Sequence, residues 1–335
     1  MKYIFSLSIF SLLLFLEGCA QKISIKTVEP AKVDRVALTK VISVAPFKND
    51  NYALSSKIEA KLANISFDGK NYFTLVSRED LDKILKEQKL QNSGLLQKKY
   101  ALEVGNLVGA QAIVSGAVSQ LHSSDTHFYE TRAQCADRKC KKLFYIPVRC
   151  TRRDASLNAQ LHITDVEKGD LIYADTITKS ASYKHCLDDS RSIPSKGSIA
   201  ESLANNIANS FTFDLSPHYK TFSVTLLDDP DIDYTDEEED LLEFSIEYIK
   251  AQRYDKAEQL LTQLIDLTHE KSYVAFYNLG IVKEAQGDYI EAKELYERAD
   301  KLMLKPIEEI ILAYKRINAL IYKRQRVFQQ LKGRK

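Results

Sequence analysis

The 335-residue chain has little of what marks nucleotide-binding, metal-dependent and nucleic-acid-binding proteins. It has only eleven glycines and no glycine-rich loop after a predicted strand, so nothing supports a phosphate-binding loop. Its 47 basic and 46 acidic side chains almost cancel, which removes the electrostatic reason to expect a nucleic-acid partner. Its six histidines form no His-Glu-x-x-His or similar array: His122, His127, His162, His185, His218 and His269. We therefore predict a protein without enzymatic activity, cofactor or bound metal.

The N-terminal apolar run is too short to anchor the chain as a membrane-spanning helix. Tyr3 to Leu16 is a run of fourteen residues, whereas a spanning helix needs about 20. Lys2 precedes the run, as in a secretory signal. The run ends in Leu16-Glu17-Gly18-Cys19, which resembles the end of a bacterial lipoprotein signal, although Glu17 stands where a small uncharged residue is usual.

This resemblance implies a diacylglycerol on Cys19, which would then be the first residue of the mature protein. Ala20, rather than an aspartate, follows the cysteine, which implies sorting to the outer membrane and a protein that faces the periplasm. Several acyl chains, such as palmitate, on one residue hold a protein firmly at a membrane. The alternative is an ordinary signal peptide in which Cys19 is incidental.

Four more cysteines indicate disulfide bonds, because an even number in an exported chain is typical of oxidised pairs. They are Cys135, Cys140, Cys150 and Cys186. A zinc site that uses His162 or His185 is the alternative, but the spacing matches no common zinc finger. Four cysteines permit three pairings, so strand geometry must choose between them.

A predicted β-hairpin around Gly169 favours one pairing. If Gly169 takes the left-handed position of a three-residue loop, Val166 pairs with Asp170. The register that follows sets Cys150 opposite Cys186, within reach of a disulfide. The predicted disulfides are therefore Cys150 with Cys186 and Cys135 with Cys140.

The apolar pattern agrees only in part with this register. The register that pairs the two cysteines sets Leu161 opposite Asp175, whereas a slip of one residue would set Leu161 opposite the apolar Ala174. A bulge between the turn and the cysteines would satisfy both patterns.

Short apolar runs alternate with helical spacings from Leu38 onward. The predicted strands are Val41–Pro46, Phe73–Val76, Ala112–Val118 and the two arms of the hairpin around Gly169. The predicted helices are Ser55–Ile65, a helix with Leu81 to Leu90 on its buried stripe, Tyr100–Val108 and Ile199–Phe213. This order predicts an α/β sandwich, in which helices pack on a mixed sheet.

Three phrases of the sequence carry a family resemblance. They are Ser77-Arg-Glu-Asp-Leu-Asp-Lys-Ile-Leu-Lys-Glu-Gln88, Gly109-Ala-Gln-Ala-Ile-Val-Ser-Gly116 and Ile163-Thr-Asp-Val-Glu-Lys-Gly169. In this order they resemble the curli-secretion (CsgG-like) family of outer-membrane lipoproteins and the related N-terminal domain of TolB. The resemblance covers roughly residues 38–215 and implies rings or other homo-oligomers.

Family members that form a secretion pore extend two hairpins per subunit into the outer membrane. The equivalent segments here, about 120–150 and 180–198, are rich in charged residues. A lipid-facing Lys or Arg costs about 2–4 kcal/mol at the bilayer midplane. We therefore predict that the chain keeps the family's periplasmic domain and lacks its pore.

The C-terminal part resembles tetratricopeptide repeats. The motif residues are Tyr254, Ala257, Phe276, Tyr277, Leu279, Gly280, Gly287, Tyr289, Ala292, Tyr296 and Ala299. Residues 307–330 are predicted to cap the stack. Two repeats and a cap lie near the lower limit for independent stability, so we expect this unit to pack on another surface or on a neighbouring subunit. Three tyrosines could line a peptide groove, but their repeat positions favour core packing: Tyr277, Tyr289 and Tyr296.

The sequence thus predicts five segments. They are a lipoprotein signal peptide (1–18), a tether (19–37), a CsgG-like α/β domain (38–220), an acidic linker (221–240), and tetratricopeptide-like repeats with a capping helix (241–330). The predicted function is a non-enzymatic assembly or scaffold component that oligomerises through the α/β domain and recruits a protein partner through the repeats. Alternatives are a pore-forming subunit of a curli-type secretion channel and a regulator of peptidoglycan synthesis.

Overall fold

The computed structural model describes residues 21–76 and 109–333. The chain forms two compact units. One, here called the α/β unit, comprises residues 28–219 and 323–335, and the other, the helical unit, comprises residues 1–27 and 220–322. The predicted fold class, a mixed-sheet α/β domain followed by a run of helices, is confirmed.

The described residues hold ten strands and eight helices. The strands are β1 (Lys22–Glu29), β2 (Val41–Val44), β3 (Ser66–Phe67), β4 (Lys70–Asn71), β5 (Thr74–Leu75), β6 (Ala112–Val118), β7 (His122–Cys135), β8 (Leu143–Asp165), β9 (Leu171–Cys186) and β10 (His218–Thr225). The helices are α1 (Asp34–Leu38), α2 (Leu54–Asn64), α3 (Lys196–Phe213), α4 (Asp236–Lys250), α5 (Tyr254–Leu267), α6 (Tyr273–Gln286), α7 (Tyr289–Leu302) and α8 (Glu308–Lys332). The predicted helices at 81–90 and 100–108 lie outside the described residues.

A mixed sheet forms the centre of the α/β unit. Strand β2 lies between β5 and β6 and runs parallel to both, and β6 pairs with β8 in the antiparallel sense. Most apolar side chains of β2 and β6 are buried, as is usual for parallel strands in the middle of a sheet, and Ile42, Val44, Ile113 and Val114 are fully buried. On one face of the sheet, α3 packs its four-residue apolar stripe: Ile199, Leu203, Ile207 and Phe211.

The long strand β8 has three partners. Residues 159–165 pair with β6 and residues 143–156 pair with β7, so that β6 and β7 follow one another along one edge of β8. Residues 150–164 pair with β9 along the other edge. We call β7 together with residues 143–156 of β8 the hairpin.

The turn around Gly169 differs from the prediction by one residue. Gly169 is left-handed as expected, with a φ of +62°. The N–H of Asp165, however, donates to the carbonyl of Asp170, and the N–H of Val166 donates to Gln111 of the neighbouring segment. Asp165 therefore closes the turn with Asp170, because Val166 is used in the sheet.

The register of β8 and β9 settles the disagreement between the two sequence patterns. Cys150 lies opposite Cys186, and Leu161 lies opposite Asp175. A bulge follows Ile163, beside the turn, so the slip to Ala174 does not reach Leu161. Asp175 is tolerated there because β9 is on the outside of the sheet and its carboxylate is exposed.

The end of α8 completes the α/β unit. Gln330 is buried, and its side-chain amide bonds both main-chain groups of Ala31, accepting from the N–H at 2.9 Å and donating to the carbonyl at 3.2 Å. Lys323 pairs with Glu29 at 2.7 Å. The basic C-terminal turns thus have partners near the start of this unit.

The helical unit combines helices α4 to α7 and residues 308–322 of α8 with two strands. Strands β1 and β10 pair with each other, and their apolar side chains join the core of the helices. Helix α4 starts at a capping box, in which Thr235 and Glu238 bond each other's main-chain N–H groups.

Two segments predicted as connectors contain secondary structure. Residues 22–29, assigned to the tether, form β1, in which Ile23, Ile25 and Thr27 are buried between exposed polar residues. The assigned linker 221–240 supplies the end of β10 and the start of α4. Strands β1 and β10 were missed because they pair with each other across almost two hundred residues, which leaves no local signal.

No helix in residues 21–76 or 109–333 is both long and apolar enough to cross a bilayer.

Lys40 makes the stability of the α/β unit depend on pH. Its ammonium group donates to the carbonyls of Ala37 and Gln330 and lies 3.5 Å from the centre of the Tyr72 ring. Burial lowers the pKa of Lys40 to about 8. Above this pH the unfolded chain still binds the proton and the folded chain does not, so stability increases as the pH rises from 8 to 10.

We expect Lys40→Met to flatten this increase, measured as the free energy of unfolding in urea at several pH values. Lys70→Met, which removes an exposed lysine, is the control and should keep the slope of the unmodified chain. Equal slopes in all three proteins would contradict the assignment.

Candidate functional site

The repeat pattern lies on two pairs of helices, α4 with α5 and α6 with α7. Ala257 near the start of α5 and Ala292 near the start of α7 are fully buried, and Gly287 ends α6 with a left-handed φ of +90°. Other motif residues are also buried: Phe276, Tyr277, Leu279, Gly280, Tyr289, Tyr296 and Ala299. Tyr254 is partly buried. These residues therefore pack in the core of the helical unit.

Gly280 allows the closest contact between α6 and α7. A Cβ atom at this position would lie 2.5 Å from Cε1 of Tyr296, well inside van der Waals contact. Tyr296 is fully buried, so its ring has no free space into which to move. The two helices can pair at this separation only with glycine at position 280.

A charged network joins α6, α7 and α8 inside the same core. The Glu284 carboxylate accepts from Nε and Nη2 of Arg316, at 2.7 and 2.9 Å, and from the hydroxyl of Tyr296 at 2.6 Å. Burial, together with this carboxylate, raises the pKa of Tyr296 far above its usual range. Removing one partner of a buried pair leaves an uncompensated charge, which typically costs about 3–5 kcal/mol.

The surface that the repeats would offer to a peptide is covered by the chain itself. Ile25 of β1, with Val224 and Leu226 beside β10, is almost fully buried in the helical core. The hydroxyl of Tyr277 donates to the carbonyl of Thr225 at 2.7 Å. The expectation that two repeats need another surface is thus met within the helical unit.

The covering segment continues to Asp231 and has two polar anchors. Both atoms of the Asn278 side-chain amide bond the main chain of Leu227. The Asp231 carboxylate accepts from the hydroxyl of Ser272 at 2.7 Å and from the N–H of Tyr273 at 2.6 Å. Ser272 caps α6, so this carboxylate lies at a helix N-terminus, where negative charge is favoured.

Sequence reasoning missed these anchors. Asn278 stands between two motif residues, Tyr277 and Leu279. Its amide bonds main-chain atoms, so no partner side chain can be recognised in the sequence. Asp231 is one of many acidic residues in its segment. The Ser272 cap at the start of a predicted helix was the one available signal.

The outer face of α4 carries exposed aromatic side chains. Phe244 is 47% exposed and Tyr248 is 39% exposed, and their four-residue spacing puts them on one side of the helix. Glu243 and Glu247 lie next to them in the sequence. This face is therefore both apolar and acidic.

The α/β unit holds both predicted disulfides, Cys135–Cys140 and Cys150–Cys186. The first closes the tip of the hairpin, where the Asp137 carboxylate also accepts from three main-chain N–H groups. Both of its cysteines are exposed, whereas Cys150 and Cys186 are buried.

The buried disulfide lies in a small apolar cluster with Phe128, Ile146 and Val148. Beside it, Glu130 pairs with Arg132 at 2.7 Å and with Lys184 at 2.8 Å. The pKa of the Glu130 carboxyl is lowered by its hydrogen bonds to Lys184 and Arg132. The side of the hairpin that bears this cluster is thus closed by a disulfide and ion pairs.

These same residues approach the geometry of a metal site without forming one. Atoms of Glu130, Cys150 and Cys186 that could bind a metal lie within 4.8 Å of one another. Both sulfur atoms are in the disulfide, so neither is a thiolate, the form of cysteine that binds metal.

The opposite face of the hairpin exposes aromatic rings. Tyr129 is 70% exposed and Tyr145 is 67% exposed. Tyr145 lies opposite Ala133, which shares a face with Tyr129, since side chains alternate along a strand.

A cleft of about 860 Å³ in the α/β unit lies between α2 and α3. Its histidine, His218, has Nδ1 3.3 Å from the carbonyl oxygen of Ser216, and its ring centre is 4.0 Å from that of Phe213. His218 therefore contacts main chain and an aromatic ring in this cleft.

Comparison with known proteins relates the α/β unit to one family. Residues 32–187 match the family model described as "Curli production assembly/transport component CsgG". No curated protein sequence matches the chain.

Two solved structures are similar at low identity. Lipoprotein GNA1162 from Neisseria meningitidis is 16% identical, with a TM-score of 0.23, over 51% of this chain and 99% of that one. A PelC dodecamer from Paraburkholderia phytofirmans is 11% identical, with a TM-score of 0.22, over 56% of this chain and 94% of that one. TM-scores below 0.5 do not establish a common fold.

Substitution of Gly280 tests the contact between α6 and α7. Alanine favours a helix over glycine by about 1 kcal/mol, but the clash with Tyr296 outweighs this gain. We expect Gly280→Ala to lower the free energy of unfolding by about 1–3 kcal/mol, measured by chemical denaturation. Gly197→Ala is the matched control, because the nearest atom to its Cβ would be 3.9 Å away. A Gly280→Ala protein as stable as the control would show that the contact is not tight.

The two disulfides should differ in reactivity. A reductant reaches an exposed disulfide more readily than a buried one, so we expect Cys135–Cys140 to be reduced first and Cys150–Cys186 only at higher reductant concentration. Alkylation followed by peptide mass spectrometry distinguishes the pairs. Equal rates in the native protein would contradict this order, and denaturant should abolish the difference.

Proposed function

Residues 32–187 match the CsgG family of curli production assembly and transport components. From this premise we propose that the protein is a lipid-anchored, non-enzymatic assembly component of the outer membrane. It faces the periplasm, oligomerises through the α/β unit and recruits a protein partner through its helical repeats. The family match over residues 32–187 is the observation that carries this proposal.

The anchor in this proposal is a lipid on Cys19. The signal-like run before Cys19 supports it, as do two disulfides, which are typical of exported proteins. We retain residues 1–18 as the signal peptide that is removed.

The contact with a partner is assigned to the outer face of α4. Exposed aromatic side chains are enriched in protein interfaces, and Phe244 and Tyr248 provide two on one helix face. Their acidic neighbours favour a partner that carries basic residues. We assign no catalytic residue, cofactor, metal or nucleic acid to the protein.

Oligomerisation is assigned to the long strands. In the described part of the sheet, β7 and β9 each pair only with β8, so each offers a free edge. Unpaired main-chain groups along a strand edge are a ready site for pairing with another chain.

A pore-forming subunit is the second candidate, and the exposed Tyr129 and Tyr145 on one face of the hairpin favour it. The ion pairs on the other face would then line water. Ion conductance by the purified oligomer in planar bilayers would support this candidate, and intact oligomers that never conduct would count against it.

We expect Cys19→Ser to abolish lipidation. Cells fed a labelled palmitate analogue should label the unmodified protein and not the variant, which should leave the membrane fraction. A double variant, Cys135→Ser and Cys140→Ser, is the control, because it removes two other thiols and should still be labelled. Labelling of the Cys19→Ser protein would exclude the proposed anchor.

Crosslinking in intact cells tests the recruitment of a partner. A photoreactive residue at Phe244 or Tyr248 should capture a protein, whereas one at Leu187, an exposed position in the α/β unit, should not capture the same protein. Capture of a peptidoglycan synthase would support the regulator of cell-wall synthesis. Capture of nothing at either α4 position would contradict recruitment through this face.

A further inference from the structure

The segment that covers the repeats is held as a bound peptide would be. At its first anchor, Asn278 accepts from the N–H of Leu227 at 3.1 Å and donates to the carbonyl of the same residue at 2.7 Å. Asn278 is fully buried, so its amide is available only to whatever fills this position. Asn278 therefore binds main-chain atoms only, and its hydrogen bonds do not depend on the type of side chain at the bound position.

The second anchor requires a negatively charged group. The Asp231 carboxylate takes hydrogen bonds from Ser272, from the N–H of Tyr273 and, at 3.2 Å, from Tyr234. Ser272 is itself fully buried. A neutral side chain here would leave the start of α6 without its negative partner.

Between the anchors the segment is exposed. Asp228, Asp229 and Pro230 all lie open to solvent. Before the segment, Leu226 is held in the core, and after it Thr235 starts the capping box of α4. Residues 227–231 can therefore leave the anchors without disturbing either flanking element.

We propose that residues 227–231 are an internal ligand and that the two anchors form a binding site for an extended acidic peptide of a partner. The peptide places the main-chain N–H and carbonyl of one residue at Asn278 and a carboxylate, four residues later, at Ser272 and Tyr273. This inference extends the proposed recruitment of a partner by adding a second contact next to the face of α4.

The internal ligand keeps the site closed in the free protein. A segment attached to its own site acts at an effective concentration in the millimolar range, so a peptide of ordinary affinity cannot compete. Removing the carboxylate at position 231 weakens the internal ligand and leaves intact the groups that hold the segment, which are Asn278, the hydroxyl of Ser272 and the N–H of Tyr273.

The test uses the full-length chain and a fluorescent peptide with the sequence of residues 225–233. We expect Asp231→Ala to raise the affinity for this peptide by about ten- to hundredfold over the unmodified chain, the effect of losing hydrogen bonds to a charged group. Asp229→Ala, which changes an exposed carboxylate of the same segment, should bind as weakly as the unmodified chain.

A second peptide keeps the result interpretable without further change to the protein. If its aspartate equivalent to position 231 is replaced by alanine, binding to the Asp231→Ala chain should be lost. A folded Asp231→Ala chain, checked by circular dichroism, that binds neither peptide better than the unmodified chain overturns the inference. Equal binding of both peptides also overturns it, because the second anchor would then not read charge.

The same experiment separates this inference from the proposed function. Peptide binding by Asp231→Ala together with no crosslinked partner in cells would support the internal ligand and contradict recruitment. A crosslinked partner at α4 together with no peptide binding would support recruitment and contradict the internal ligand.

Discussion

The burial of β1 and β10 against the helices is the interaction on which the helical unit depends. The helices supply most of the buried residues of this core, and Ile25, Val224 and Leu226 extend it where β1 and β10 pack. Burial of one large apolar side chain contributes about 1.5–3 kcal/mol. The core of the helices therefore includes a strand near the start of the chain and another almost two hundred residues later, and the helices form a closed module rather than an open array.

In the α/β unit a disulfide bond joins two strands at a place where few apolar side chains are buried. Along β8 the buried residues from Ala155 to Ile163 have odd numbers and face α3, whereas Val148 and Cys150 are buried on the other face. That second cluster has few members, and none of them lies on a helix in the described part of the chain. The disulfide between Cys150 and Cys186 joins β9 to β8 at this point. It stabilises the fold mainly by lowering the conformational entropy of the unfolded chain.

Local patterns predicted the local parts of the fold. Strand β6 and helix α3 were found because their apolar spacing is complete within a few residues, and the disulfides followed from the geometry of one hairpin. Strand β1 was missed because its partner is remote in the sequence. The site was harder, since Asn278 binds main chain and Asp231 resembles its acidic neighbours until the fold places it beside Ser272.

The position of β1 sets how far the protein can reach. Three residues of extended chain span at most about 10 Å, and β1 begins at Lys22, three positions after Cys19. With a lipid on Cys19, only a very short linker separates the helical unit from the membrane, so the unit is confined to the bilayer surface. A partner is then met by diffusion within the plane of the membrane, and a soluble partner must first come to that plane.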